Sequence, residues 1–153
     1  MTSSSFSRRG DIASFLAMDV MREANQLQQT GQNICHLEVG QPSTKAPQVV
    51  LDAARYAIDS ELIGYTDALG LDDLRQALSA YYHTTYKVDV APERFVITTG
   101  SSAGFILAFL ACLDAGQKVA VTAPGYPAYT NIIQSLDLTT VTIALGQENN
   151  WKL

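Results

Sequence analysis

Two short stretches carry residue types and spacings suited to holding one small ligand. The first, GSSAG at 100–104, follows the β-branched run FVITT at 95–99 and precedes the apolar run FILAFLACL at 105–113. A buried strand that turns sharply through glycine into a helix leaves the first N–H groups of that helix without acceptors and aimed at one point. Phosphate is the usual guest at such a terminus. The second stretch, PGYPAY at 124–129, follows the strand-like run at 119–122. In an open α/β sheet the carboxyl ends of parallel strands share one rim, so both turns are expected to face the same crevice. Together they predict a ligand with a phosphate at one end and a flat ring at the other.

The rest of the chain supplies elements to position these turns. Residues 11–30 place Ile12, Phe15, Leu16, Val20, Ala24 and Leu27 on one face and stop at Gly31, which predicts an amphipathic helix. An extended run at 33–39 ends in the turn GQPST at 40–44, where Gly40 brings backbone N–H close to a ligand. Pro47 fits the first turn of a helix through residue 58. A loop, GYTDALG at 64–70, leads to a helix over 71–82 with Leu71, Leu74, Leu78 and Tyr82 in register. Strands at 95–99, 118–122 and 138–144, with helices at 105–113 and 128–136 between them, read as βαβαβ. The fold class is therefore α/β, three layers with a mostly parallel sheet, preceded by an N-terminal helical arm. The tail GQENNWKL at 146–153 is polar and offers no helix to close over the sheet.

Composition narrows the function. At 47% hydrophobic and 16% charged, 153 residues suffice for one domain with a core. The net charge of −5 and the scattered basic residues argue against nucleic acid, which needs a concentrated basic face. Arg8 and Arg9 sit in a Ser-rich head read as a loose terminus rather than a targeting peptide. The longest apolar run, 103–113, falls short of the ~20 residues that span a bilayer. A soluble, cytoplasmic protein is expected. Cys35, in a predicted strand, and Cys112, in a predicted core helix, are read as reduced, buried thiols. His36 and His83 lack partners at metal-ligand spacing, so no metal site is expected and both are read as structural or exposed. Asp72 and Asp73 are adjacent and splay about 100° apart on a helix, which suits the helix dipole and not an acid/base pair.

Four motifs in order, LEVGQP at 37–42 with Pro47 after it, GYTDALG at 64–70 with Leu74 and Arg75, ITTGSS at 97–102, and APGYPAY at 123–129, resemble the class I/II aminotransferases. These are fold-type I enzymes that use pyridoxal 5'-phosphate. The resemblance covers nearly all of the chain from about residue 11 onward. It implies that Gly100, Ser101 and Ser102 form the cup for the cofactor phosphate and that Tyr126 stacks on its pyridine ring. It implies further that Tyr65 reaches the phosphate of the other subunit of a homodimer, and that Gly40 touches the carboxylate of an amino acid or 2-oxo acid substrate.

The family also needs a lysine for the Schiff base, an acid for the pyridinium nitrogen and an arginine for the substrate carboxylate. Lys45, Lys87, Lys118 and Lys152 do not stand in the context of that lysine, so no catalytic residue is assigned. The resemblance therefore implies an N-terminal portion, with residues 1–45 as arm and small-domain segment and 46–153 as the first half of the cofactor-binding domain. Such a portion is expected to expose apolar faces and to be unstable or inactive alone. Two other readings stand beside this one. A Rossmann dehydrogenase is imitated by TGSSAG at 99–104 but lacks a glycine at Ile106, and a truncated relative can serve as a non-catalytic binding module. A P-loop is excluded because no Gly-Lys-Ser/Thr follows the glycines.

Overall fold

The computed structural model of the chain describes residues 7–153. Its elements are α1 (Leu16–Gln29), α2 (Gln48–Ser60), α3 (Asp72–Tyr86), α4 (Ser101–Cys112), β1 (Lys118–Ala123), α5 (Ala128–Ser135) and β2 (Thr139–Ala144), with short 3-10 turns at Arg8–Gly10, Pro92–Arg94 and Gln147–Asn149. They fall into two units. One combines the described residues up to Val39 with Thr99–Leu153, and the other is Gly40–Thr98.

The first unit is built on β1, α5 and β2. Both strands are rich in Val, Thr and Ile, which suit a pleated, half-buried surface. They pair in parallel, from Lys118 opposite Thr139 to Ala123 opposite Ala144. Parallel neighbours cannot be joined by a hairpin, and α5 makes the crossover. The ladder is extended at one end by Thr139 N–H donating to the Gln117 carbonyl (2.8 Å) and at the other by Leu145 N–H donating to the Ala123 carbonyl (2.8 Å). The buried apolar residues are Ile133, with no exposed surface, Ile132 and Leu138. All three belong to α5 or the turn after it.

Several expectations are corrected here. Residues 33–39 and 95–99 are not strands, because among the described residues the sheet has two strands only, β1 and β2. An extended segment becomes a strand through a neighbour's hydrogen bonds, and Ile97 N–H instead donates to the loop carbonyl of Leu69 (3.0 Å). The first helix begins at Leu16 rather than residue 11. Its expected first turn is held extended by the Asn131 side-chain amide donating to the Ala13 carbonyl at 2.6 Å. Helix α4 starts at Ser101, four residues before the predicted start, and is not a buried core helix. Leu107 and Leu110 remain exposed, as does Cys112, because a two-stranded floor covers only part of a helix that is apolar all round. Cys35 is exposed as well, so neither thiol is buried, contrary to expectation. The Ser-rich head lies largely outside the described residues.

The second unit contains α2 and α3. Pro47 caps α2 just outside its first turn. Helix α3 runs four residues past the predicted end and stops at Lys87 in the left-handed conformation. Around its last turns Tyr82, Tyr86 and Phe95 pack edge to face, with ring centroids 5.3–5.4 Å apart. Asp72 is engaged on its own helix by Arg75 (3.1 Å) and Gln76 (2.5 Å), which fits its assignment to the helix start. Arg75 is the buried charged residue among those described, and its Nε also donates to the Gly70 carbonyl (3.3 Å).

Gly70 closes the loop against α3 with φ of 97°, and a Cβ there would lie 2.6 Å from the Cβ of Ile97. Gly70→Ala combines a left-handed backbone penalty with overpacking. It is expected to cost about 2–4 kcal/mol in urea unfolding of this unit. A loss below about 1 kcal/mol would show that the loop re-forms around the methyl group.

Candidate functional site

Gly100 caps α4 with φ of 90° and ψ of 166°, a conformation that glycine adopts without strain. No side-chain hydrogen bond caps this terminus, and no acidic residue lies in the first turn. The first intrahelical bond runs from Gly104 N–H to the Gly100 carbonyl (3.4 Å). The N–H groups of Ser101, Ser102 and Ala103 therefore precede the helical ladder and point out of its N-terminus. A Cβ built on Gly100 would meet nothing within 4 Å among the described residues, so there is space beside this residue. Ser101 is exposed and Ser102 half-buried, adding two hydroxyls to the set. Open space, backbone donors, hydroxyls and no nearby carboxylate on the first turn fit a phosphate ester.

Tyr126 follows β1 in the turn that begins at the cis Ala123–Pro124 peptide. It is half-exposed and makes two edge contacts, to Phe15 (centroids 5.9 Å, planes at 85°) and to Tyr129 (5.2 Å, 81°). Tyr129 in turn packs on Phe105 (4.6 Å). Phe105 lies one helical turn beyond Ser101, on the same face of α4. The aromatic turn and the serine turn are thus joined by a run of rings within one unit. Beneath it, Phe105, Phe109 and Tyr129 line an apolar cleft of about 320 Å³ against β1.

The structure places Gly100, Ser101, Ser102 and Tyr126 in the first unit and Gly40 and Tyr65 in the second. Gly40 is exposed with open space about it, and Tyr65 is fully exposed in the loop between α2 and α3. Sequence reasoning missed Phe15 and Tyr129 as neighbours of Tyr126. Tyr129 had a signal, three residues after Tyr126 in the same motif. Phe15 had none, because its helical spacing placed it with the apolar face of α1. Among the described residues no group of three or more His, Cys, Asp or Glu side chains is arranged to hold a metal ion.

The sequence pattern of the family described as aminotransferase class I and II matches residues 32–153. A valine–pyruvate aminotransferase of Mycobacterium tuberculosis is 43% identical over 144 residues, which is 94% of this chain and 37% of that protein. A (5-formylfuran-3-yl)methyl phosphate transaminase of Methanocaldococcus jannaschii is 35% identical over 80% of this chain and 33% of its own length. Among solved structures, an aminotransferase from Mycobacterium tuberculosis superposes with a TM-score of 0.92 at 41% identity, covering 99% of this chain and 39% of that one. Aspartate aminotransferase from Thermus thermophilus with maleate gives 0.91 at 25% identity, over 98% and 40%. The chain thus spans little more than a third of the length of these relatives.

The segment leading to Gly40 is tied down by one side chain. His36 Nδ1 donates to Glu38 Oε1 (2.7 Å), and its Nε2 lies 3.0 Å from Gln28 Oε1 on α1. The hydrogen bond from His36 holds the Glu38 carboxyl below its ordinary range. A carboxyl depressed by folding stabilises the fold fully above its unfolded value and loses that contribution as pH falls through its folded value. Glu38→Gln is therefore expected to destabilise the chain at pH 7, with the deficit shrinking below about pH 4. Urea unfolding of both forms across pH 3–7 measures this. Asp19, depressed by a hydrogen bond with Ser14 and by Arg22, adds an acid-sensitive contribution of the same sign to both forms and cancels in the difference. A deficit that stays constant with pH would show that the pair does not stabilise the fold.

Proposed function

The chain belongs to the class I and II aminotransferases, and from that membership we propose that it is the cofactor-cradling part of an enzyme moving an amino group between an amino acid and a 2-oxo acid. The observation that carries this reading is the open N-terminus of α4, with Gly100, Ser101 and Ser102, joined by packed rings to Tyr126. The cofactor is pyridoxal 5'-phosphate, which when bound supplies the electron sink for cleaving a bond at the amino acid's Cα.

The residues of this chain bind and orient. Backbone N–H groups at the start of α4 and the hydroxyls of Ser101 and Ser102 hold the phosphate, and the helix dipole favours its charge. Tyr126 stacks on the ring and fixes its plane. Gly40 offers backbone to the substrate carboxylate. Tyr65, fully exposed, reaches the phosphate site of a second subunit, so the working enzyme is a homodimer. Residues 1–45 are its arm and small-domain segment, and 46–153 begin the cofactor-binding domain. No lysine of this chain is assigned to the chemistry, and the whole protein provides that group elsewhere. The remaining part also covers the exposed apolar faces of α4.

The test joins the chain to the rest of the Mycobacterium tuberculosis relative's sequence and titrates the product with pyridoxal 5'-phosphate, following absorption near ~400 nm. A band that survives dialysis in the joined protein and is absent from the chain alone is expected. Tyr126→Ala should weaken retention roughly tenfold. Ser101→Asp should weaken it further, since it sets a negative charge against the phosphate. Full occupancy in the Ser101→Asp form would overturn the phosphate assignment, and unchanged affinity in Tyr126→Ala would overturn the stacking.

A further inference from the structure

Residues 7–15, a 3-10 turn at Arg8–Gly10 followed by an extended run, pass along α5 and its flanks, fastened at three points. The Arg9 guanidinium pairs with Asp137 just after α5 (2.6 Å), the Asn131 amide on α5 donates to the Ala13 carbonyl (2.6 Å), and the Phe15 ring meets Tyr126 just before α5 edge to face. The first contact is solvent-exposed on both sides and worth at most about 1 kcal/mol. The second anchors the backbone only two residues before Phe15, and so limits where that ring can go. The third touches the residue assigned above to the cofactor ring.

Tyr126 needs such a support. It stands in a turn, is half-exposed, and its ring packs against Phe15 and Tyr129 among the described residues. The two neighbours approach nearly at right angles, at 85° and 81°. Two ring contacts near perpendicular restrict rotation of the Tyr126 ring about its side-chain bonds. Tyr129 is itself fixed by Phe105 on α4, so one support comes from the helix that carries the serines and the other from the N-terminal arm.

We propose that Phe15 is a positioning residue for Tyr126, and that the arm of residues 7–15 is a working part of the cofactor site and not a loose leader. This rests on the assignment of Tyr126 to the cofactor ring. It adds that the ring's orientation is set from outside the sheet, by a segment separated from it by more than a hundred residues. Loosening the arm at a distance should therefore weaken ring binding without any change in the groups that touch the ligand.

The experiment titrates the joined protein described above with pyridoxamine 5'-phosphate, followed by the fluorescence of its ring. This probe has the phosphate and the ring but no aldehyde to react with surface lysines. Phe15→Leu, which keeps apolar bulk and loses the aromatic edge, is expected to weaken binding roughly three- to tenfold, with Phe15→Tyr close to the unsubstituted joined protein. Asn131→Ala, which frees the arm at Ala13, should weaken it in the same direction. A merely structural Phe15 would shift the urea midpoint and leave the affinity of the folded form unchanged, so both are measured. If Tyr126→Ala weakens binding while Phe15→Leu binds as the unsubstituted joined protein does, the positioning role is overturned and the Tyr126 assignment stands. If Tyr126→Ala has no effect, or the unsubstituted joined protein binds no probe, the assignment on which the inference rests falls and the inference falls with it.

Discussion

The crossover from β1 through α5 to β2 is the constraint on which the rest of its unit depends. Parallel strands must be joined by a segment that leaves the sheet and returns, and here that segment contains a helix of eight residues. It carries the buried apolar residues Ile132 and Ile133, with Leu138 at its exit. Leu138 N–H donates back to the Ile133 carbonyl (3.0 Å), and Gly116 N–H donates to the Asp137 carbonyl (2.7 Å), which ties the exit to the turn before β1. Within this unit the arm and part of α4 pack on α5 or its flanks. The arm lands on Tyr126, Asn131 and Asp137, and α4 lands on Tyr129 through Phe105.

That arrangement explains why the two candidate turns are linked although they lie on different elements. The serine turn belongs to α4, and the aromatic turn belongs to the entrance of α5. Tyr129, in the first turn of α5, touches both Tyr126 and Phe105, so a shift of α5 moves one turn relative to the other. The phosphate and the ring of one rigid ligand would register such a shift at both ends.

The parts of this design legible in the sequence were those with local causes. β1, α5 and β2 were read to within a residue or two, because β-branched runs and turn residues at 116, 124 and 125 delimit them. Gly100 marked a change of direction whatever surrounded it. The failures share one physical origin, dependence on a distant partner. Residues 95–99 have strand composition, yet Ile97 finds its acceptor in a loop. Residues 11–15 have helical spacing, yet Asn131 and Tyr126 hold them extended, and tertiary contacts of this kind outweigh propensities of a few tenths of a kcal/mol per residue. For the same reason Tyr126 was visible as a candidate and its supporting ring from the arm was not.

Exposure completes the physical argument. A helix apolar on every side is stable in water only when covered on every side, and α4 is covered by α5 and β1 on one side, with Leu107 and Leu110 in solvent. Exposed Leu62, Ile63 and Tyr65 repeat the pattern on the loop of the second unit. Singly exposed apolar residues are ordinary on protein surfaces, but these are contiguous in sequence or lie on one helix. The polar residues that face the candidate site, Ser101 and Ser102, are the exception at an otherwise apolar helix. A helix built to be buried, with hydrophilic character concentrated in its first turn, has its N-terminus as its one polar end.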